Sequence, residues 1–265
     1  MTHPFLRGPR PRAFAHRGWH IDDLSGMENS LSAFRRAVDE GYRYVETDAR
    51  ATADGVVVLQ HDADLERTTD GRGSVRRLPW SAVGSARIAG RERVCRLDEA
   101  LEELPDARFN VDVKDDSAVE PVLRVLRRQR AFSRVCLAAF DERRLGRLRR
   151  EAGPAAITSM GSASARRLWL GSRYGGWPLR SAVAGSAAQV PPRQGRIRVV
   201  DARFVRLAHR WGAEVHAWTV DEPERMRALL DLGVDGLITD QPRVLREVLR
   251  ERHPSTARTG FSPRS

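Results

Sequence analysis

The chain has 265 residues, 41% of them apolar and 31% charged, which suits one large folded α/β domain or two small ones and excludes a disordered chain. No stretch reaches the roughly 18 apolar residues of a membrane span, and the N-terminus MTHPFLRGPRPR has no apolar core of signal-peptide length. The net charge of +11 is almost wholly arginine, since Lys114 is the only lysine.

Short apolar runs bounded by Gly, Pro and Asp alternate with helical patterns along nearly the whole chain. Strands are expected at 12–16, 43–50, 55–61, 107–114, 134–140, 155–160, 186–190, 213–219 and 236–239. Helices fit 29–40, 97–104, 117–130, 141–151, 201–211, 222–232 and 241–251. In the first of these Leu31, Phe34, Ala37 and Val38 recur at helical spacing, and Glu28, Asn29 and Ser30 offer capping side chains ahead of them. Between the second and third strands Thr52 to Gly55 is too short for a crossover helix, and its Asp-Gly pair signals a hairpin. That fold-back brings Asp48 near Gln60 and His61. Counting the hairpin as one position leaves eight strands, the pattern of an α/β (β/α)8 TIM-type barrel with one irregular corner. An open doubly wound sheet is the runner-up, without a GxGxxG or P-loop to support it.

Two stretches are poorly patterned. Residues 62–96 are expected as a small loop-rich insertion over the barrel mouth, and 161–186, with Trp169, Tyr174 and Trp177, as a second loop-rich segment. The domain then runs over 1–252, and the Pro-, Ser-, Thr- and Arg-rich residues 253–265 are expected to form a disordered tail. Cys95 and Cys136 lack CxxC spacing, and free thiols in a reducing cytoplasm are expected.

The chemistry concentrates between Ala15 and Asp62. His16 and His61 each end a strand at the face where barrels of this kind carry their active sites, and two such histidines can pass a proton both ways near neutral pH. Glu46 and Asp48 stand two apart on one strand, so both side chains take the same side and repel unless a cation lies between them. Asp112 can add a third oxygen ligand. Three carboxylates suit Mg²⁺ or Ca²⁺ rather than a sulfur-bound zinc. Lys114 shares the face of Asp112 and can reach a phosphate, and Arg17 is placed for a bidentate phosphate contact. Glu28, with Asn29, begins a helix, where Glu28 can bind metal, bind substrate hydroxyls or cap. Trp218 either walls a leaving-group pocket or packs in the core, and His216 is a packed histidine. Together these residues point to metal-assisted cleavage of a phosphate ester.

The ordered runs HRG, ENS, ETD and HD, followed by NVDVK, AAFDERRLGRLR, AWTVDEPERM and GVDGLITDQP, resemble the glycerophosphodiester phosphodiesterase family over about residues 12–250. The resemblance implies a (β/α)8 barrel that hydrolyses glycerophosphodiesters to glycerol 3-phosphate and an alcohol with Mg²⁺ or Ca²⁺. By motif position His16 and His61 would be the acid/base pair, with Glu46, Asp48 and Asp112 on the metal. Arg17 and Lys114 would hold the phosphate. Three departures accompany it: Asp112 where a glutamate is usual, Ala138 and Ala139 where serines are common, and a longer loop after His16 with Asp22 and Asp23. A rival reading keeps the barrel but gives it lipid substrates, as a phospholipase D-like or lysophospholipase D-like enzyme. Another makes it a non-catalytic phosphate- or nucleic-acid-binding barrel. The arginine excess would favour transient contact with anionic membrane surfaces, whereas no nucleic-acid module is recognisable.

Overall fold

Alternation along the strands builds the barrel. In the computed structural model, which describes residues 2–175 and 177–252, the strands are β1 (Arg12–His16), β2 (Tyr44–Ala51), β3 (Val57–Leu59), β4 (Arg108–Val113), β5 (Val135–Ala138), β6 (Ile157–Thr158), β7 (Ala187–Val190), β8 (Glu214–Ala217) and β9 (Gly236–Thr239). Eight of them run parallel in the order β6-β5-β4-β2-β1-β9-β8-β7. The ring is nearly closed where β6 meets β7: Ser159 bridges Ala187 in parallel, and Ser186 N donates to Thr158 O at 2.9 Å. The strand β3 stands outside the ring, antiparallel to β2 with Ala49 opposite Leu59, so Gln60 N reaches Asp48 O at 2.9 Å. The expected barrel and its hairpin corner are both present.

Besides a single-turn helix at Trp80–Val83, the helices are α1 (Leu31–Asp39), α2 (Leu97–Glu103), α3 (Val119–Arg128), α4 (Glu142–Ala152), α5 (Ser162–Tyr174), α6 (Ala202–Arg210), α7 (Pro223–Asp231) and α8 (Pro242–Arg252). Seven follow the expected pattern. The eighth, α5, corrects the loop-rich reading of 161–186, and a 3-10 turn, Trp177–Ala182, follows it. Its polar and small residues (Ser162, Ser164, Gly171, Ser172) blur the apolar stripe, although Ser164, Leu168 and Gly171 are buried. Of the three capping candidates it is Ser30 that caps α1, its Oγ accepting from Ala33 N at 3.1 Å, while Glu28 and Asn29 turn elsewhere. Residues 62–96 fold into short turns and a two-stranded ribbon whose small core includes Val75, Val83, Ile88 and Val94, together with Leu24 and Met27. The expected tail beyond residue 252 lies outside the described residues.

Outward residues of the strands, such as Val45, Ala49, Phe109, Val111 and Val113, pack against the helices. Inward residues form polar layers. At the N-terminal ends of their strands, Arg12 grips Glu214 with two hydrogen bonds (2.8 and 2.7 Å) and donates to Tyr44 Oη at 2.8 Å. Arg108 adds a bond to Tyr44 Oη at 2.6 Å and one to Phe5 O at 2.8 Å, so the segment Pro4–Leu6 plugs this end. The Arg12 side chain is 1% exposed, so its loss strands Glu214 in a nearly dry site. Arg12→Leu should therefore cost roughly 3–5 kcal/mol in urea-unfolding free energy. A cost below about 1 kcal/mol would mean that the plug does not depend on this pair.

Candidate active site

The opposite end of the barrel gathers the reactive side chains. Residue Arg17 adopts a left-handed φ of 55° and Gly18 a φ of 89°, so the chain turns sharply as β1 ends. At Gly18 a Cβ would lie 2.9 Å from the backbone carbon of Ala33, so only glycine lets the turn pack on α1. The turn lets Arg17 N donate to Glu46 O at 2.9 Å and aligns His16 with Glu46 in register. Asp48 is level with Asp112 on the neighbouring β4. Glu46, Asp48 and Asp112 thus face one interior, as the two-residue spacing requires.

Cations stand between these acids. Lys114 Nζ lies 2.7 Å from both Asp48 Oδ1 and Asp112 Oδ2. Arg17 Nε lies 3.2 Å from Asp48 Oδ2 without an aligned hydrogen bond, and Arg17 Nη1 donates to Glu28 Oε1 at 3.0 Å. Burial pushes the Asp48 carboxyl up, but Lys114 and Arg17 outweigh it and hold it below the usual carboxylate range. Burial likewise pulls Lys114 down, and Asp112 and Asp48 more than restore it. Glu46 has no side-chain ion pair with Lys114 or Arg17: burial and the charge of Asp48 outweigh His16 and Lys114 and push it up to about 8.

His16 is held from both sides. Its Nδ1 lies 2.6 Å from Asp240 Oδ1 and its Nε2 3.6 Å from Glu46 Oε2. Burial lowers the His16 pKa, but Glu46 and Asp240 outweigh burial and raise it above its ordinary value. Asp240 also meets His20 Nε2 at 3.1 Å. Burial opposes ionisation of Asp240, yet the two histidines keep its pKa well below the usual range. Neither Asp240 nor His20 stands out in the sequence. The available signal is the acid ending the last strand, because ring closure sets Ala15 beside Thr239 and hence His16 beside Asp240.

His61, just past β3, has Nδ1 at 2.7 Å from Asp62 Oδ1, and Arg50 holds its carbonyl with bonds of 3.0 and 2.8 Å. Arg67, from the insertion, donates to Asp62 Oδ2 at 2.5 Å and to both oxygens of Glu28 at 2.8 Å. Glu28 thereby links Arg17 to Arg67 rather than capping α1. Asn29, left-handed at φ 59°, donates to Asp48 Oδ2 at 3.0 Å and accepts from Thr47 Oγ1 at 2.7 Å, which makes it an anchor for the acids. His216 is fully buried, 3.0 Å from Glu214, as a packed histidine should be.

A cavity of about 680 Å³ opens above this floor. His16, Arg17, Glu46, His61, Asp112 and Lys114 line its polar side, and Trp218 lines the other, edge-on to Phe140 at 5.5 Å between ring centres. The insertion 62–96 contributes no side chain to this lining. Among the described residues no three His, Cys, Asp or Glu side chains form a ready metal cage. The donor set nevertheless fits a hard cation: three carboxylates share the floor, and the one that Lys114 and Arg17 do not pair is driven towards neutrality.

Residues 16–244 match the Glycerophosphoryl diester phosphodiesterase family. The chain belongs to that family. It is 41% identical over 256 residues to Probable glycerophosphodiester phosphodiesterase 2 of Mycobacterium tuberculosis, covering 95% of each chain. Over 89% of this chain and 97% of the relative, it is 27% identical to a Glycerophosphodiester phosphodiesterase of Caldanaerobacter subterraneus. In fold it resembles a putative glycerophosphoryl diester phosphodiesterase from Silicibacter pomeroyi, with a TM-score of 0.77 at 24% identity over 95% of this chain and 98% of the other. An Oleispira antarctica phosphodiesterase, solved with the product sn-glycerol-3-phosphate, superposes with a TM-score of 0.73 at 19% identity, covering 91% and 97% of the two chains. Membership makes this chain a hydrolase of phosphoric diesters, with a glycerophosphodiester as its small-molecule substrate. Among the described residues no helix is long and apolar enough to cross a membrane.

The Glu46 carboxyl carries a sign-definite consequence for stability. Its folded pKa lies above its unfolded value, so the destabilisation is absent below about 4.5 and grows as pH rises towards about 8. In EDTA, Glu46→Gln should melt higher than the wild type by roughly 2–8 °C at pH 8.5, with the gap closing at pH 4.5. Calorimetry showing an equal gap at both pH values would contradict this.

Proposed function

We propose that this protein hydrolyses glycerophosphodiesters to sn-glycerol 3-phosphate and an alcohol by histidine acid/base chemistry that depends on Mg²⁺ or Ca²⁺. The observation that carries the reading is the convergence on one cavity of His16, His61, Arg17, Lys114, Glu46 and Asp112, with Asp48 buried against Lys114 beside them. Glu46, Asp48 and Asp112 would hold the cation, which when bound neutralises charge on the phosphate. With those carboxylates on a cation, Lys114 would be released from Asp48 and Asp112.

The side chains of this chain then have separable tasks. Arg17, whose buried Nε has no hydrogen-bond partner, and Lys114 bind the phosphate oxygens. Asp240 fixes the His16 ring through Nδ1 and leaves Nε2 facing the reacting centre. Asp62 does the same for His61, itself held by Arg67. One histidine takes the proton of the attacking hydroxyl, and the other returns a proton to the departing alkoxide. Trp218 walls the substrate pocket, while Glu28 and Asn29 act from outside its lining, Glu28 by holding Arg17 and Asn29 by holding Asp48. Transient contact with anionic lipid surfaces accords with the arginine-rich charge, and a cytoplasmic location with the free thiols of Cys95 and Cys136.

Release of sn-glycerol 3-phosphate from glycerophosphocholine, glycerophosphoethanolamine and glycerophosphoglycerol tests the reading. Release should need Mg²⁺ or Ca²⁺ and stop in EDTA, and undiminished release in EDTA would overturn the metal dependence. His16→Ala and His61→Ala should each lower kcat by at least roughly 10²-fold, and wild-type turnover in either would remove that histidine from the reaction. Asp240→Asn should lower kcat at least roughly 10-fold with KM little changed. A change confined to KM would make Asp240 a substrate contact instead.

A further inference from the structure

The connection between β1 and α1 carries an imidazole that the reaction above does not use. His20 lies shortly beyond His16, and its Nε2 stands 3.1 Å from Asp240 Oδ1, the same oxygen that meets His16 Nδ1 at 2.6 Å. Burial favours a neutral Asp240, but the two histidines hold its pKa well below the usual range, so the carboxylate is ionised at neutral pH. An ionised carboxylate only accepts hydrogen bonds. Each ring nitrogen that faces it therefore carries the proton, Nδ1 on His16 and Nε2 on His20.

The fold fixes both partners of this second bond. The Asp240 backbone is tied to Asp221, whose Oδ1 accepts from Asp240 N and from Thr239 Oγ1, both at 2.9 Å. The Asp240 carboxylate is 36% exposed, so water competes with His16 for it unless another donor holds it. The His20 side chain is more enclosed, and its neighbours seat it. Trp19 is buried, with its ring edge-on to Tyr42 and its amide donating to Ala33 O at 2.9 Å. Asp22 pairs with Arg243 of α8, and Asp23 with Arg36 of α1 at 3.0 Å. The Asp23 carbonyl also accepts from Arg91 of the insertion at 2.7 Å. The loop thus forms a strap across α1, α8 and the insertion that presents one imidazole to Asp240. His20 does not line the cavity, so it acts on the reaction through another group.

We propose that His20 is a positioning residue for the phosphodiesterase reaction. Its Nε2 proton holds the Asp240 carboxylate in one orientation, and that carboxylate holds the His16 ring with Nε2 towards the reacting centre. The proposal rests on the phosphodiesterase reading above and gives the loop after β1 a part in it. Two donors on one oxygen leave the carboxylate less freedom to rotate than one. A catalytic ring that loses its support is misplaced, which slows the chemical step without weakening substrate binding. A merely structural latch predicts something else, because the loss of Asp22 or of His20 would then act alike.

The test measures kcat and KM of the full-length protein with Mg²⁺ or Ca²⁺ supplied. The substrate is whichever of glycerophosphocholine, glycerophosphoethanolamine and glycerophosphoglycerol the wild type cleaves fastest. Methionine and glutamine are close in shape, but only glutamine offers an N–H where His20 places Nε2. His20→Met should lower kcat at least roughly 5-fold with KM unchanged within about 2-fold. His20→Gln should keep kcat within about 3-fold of the wild type. His20→Phe keeps the ring volume without the donor and should match His20→Met, and it carries the test if the methionine variant does not fold. In an Asp240→Ala background His20→Met should cost no more than about 2-fold further, because the acceptor is gone. Asp22→Asn breaks the pair with Arg243 and suits the left-handed φ of 56° there, and it should leave kcat at the wild-type level. Wild-type kcat in the donorless variants, equal losses with methionine and glutamine, or a full further loss in the Asp240→Ala background would overturn the role of His20. So would an Asp22→Asn loss equal to that of His20→Met. Each of these leaves the phosphodiesterase reading standing, whereas no release by the wild type from any of the three substrates would overturn both.

Discussion

Three carboxylates crowd one end of a narrow barrel, and the local structure there is built around their charge. The strand period forces Glu46 and Asp48 to the same side, and register brings Asp112 level with Asp48. Like charges so placed cannot all ionise unaided. Lys114 and Arg17 neutralise Asp48, and Asn29 gives it a hydrogen bond, while Glu46 is left pushed up to about 8. The sharp turn at Arg17 and Gly18 belongs to the same arrangement, since it seats the Arg17 amide on the Glu46 carbonyl.

The two ends of the barrel treat buried charge differently. At the plugged end Arg12 and Glu214 meet in a two-point pair supported by Tyr44, and burial of Glu214 is outweighed so that its carboxyl falls to about 2. At the open end each histidine meets one carboxylate through Nδ1, His16 with Asp240 and His61 with Asp62, and both line the cavity. A closed ion-pair network suits a structural layer, and a partly compensated one suits a site that receives charge from outside.

The barrel was legible because its signals are local and periodic. Strand alternation, the Asp54-Gly55 hairpin and the spacing of Glu46, Asp48, Asp112 and Lys114 all survive into the fold. What escaped the sequence depended on ring closure or on tertiary packing. Asp240 meets His16 only because β9 closes against β1, and Arg67 meets Glu28 and Asp62 only through the fold of the insertion. The helix α5 was hidden by serines and glycine on a face buried against its neighbours, which carries no hydrophobic stripe. Glu28 has three local uses in sequence, and the structure gives it a different one, bridging Arg17 to an arginine 39 residues away.

The most direct test is a crystal structure of the protein grown with Ca²⁺ and sn-glycerol 3-phosphate. The expected result is anomalous density for the ion among Glu46, Asp48 and Asp112, with Lys114 released from Asp48 and Asp112 and turned to the phosphate beside Arg17. Product bound in the cavity with no ion among those acids, and Lys114 still clamped between Asp48 and Asp112, would contradict a metal-dependent site.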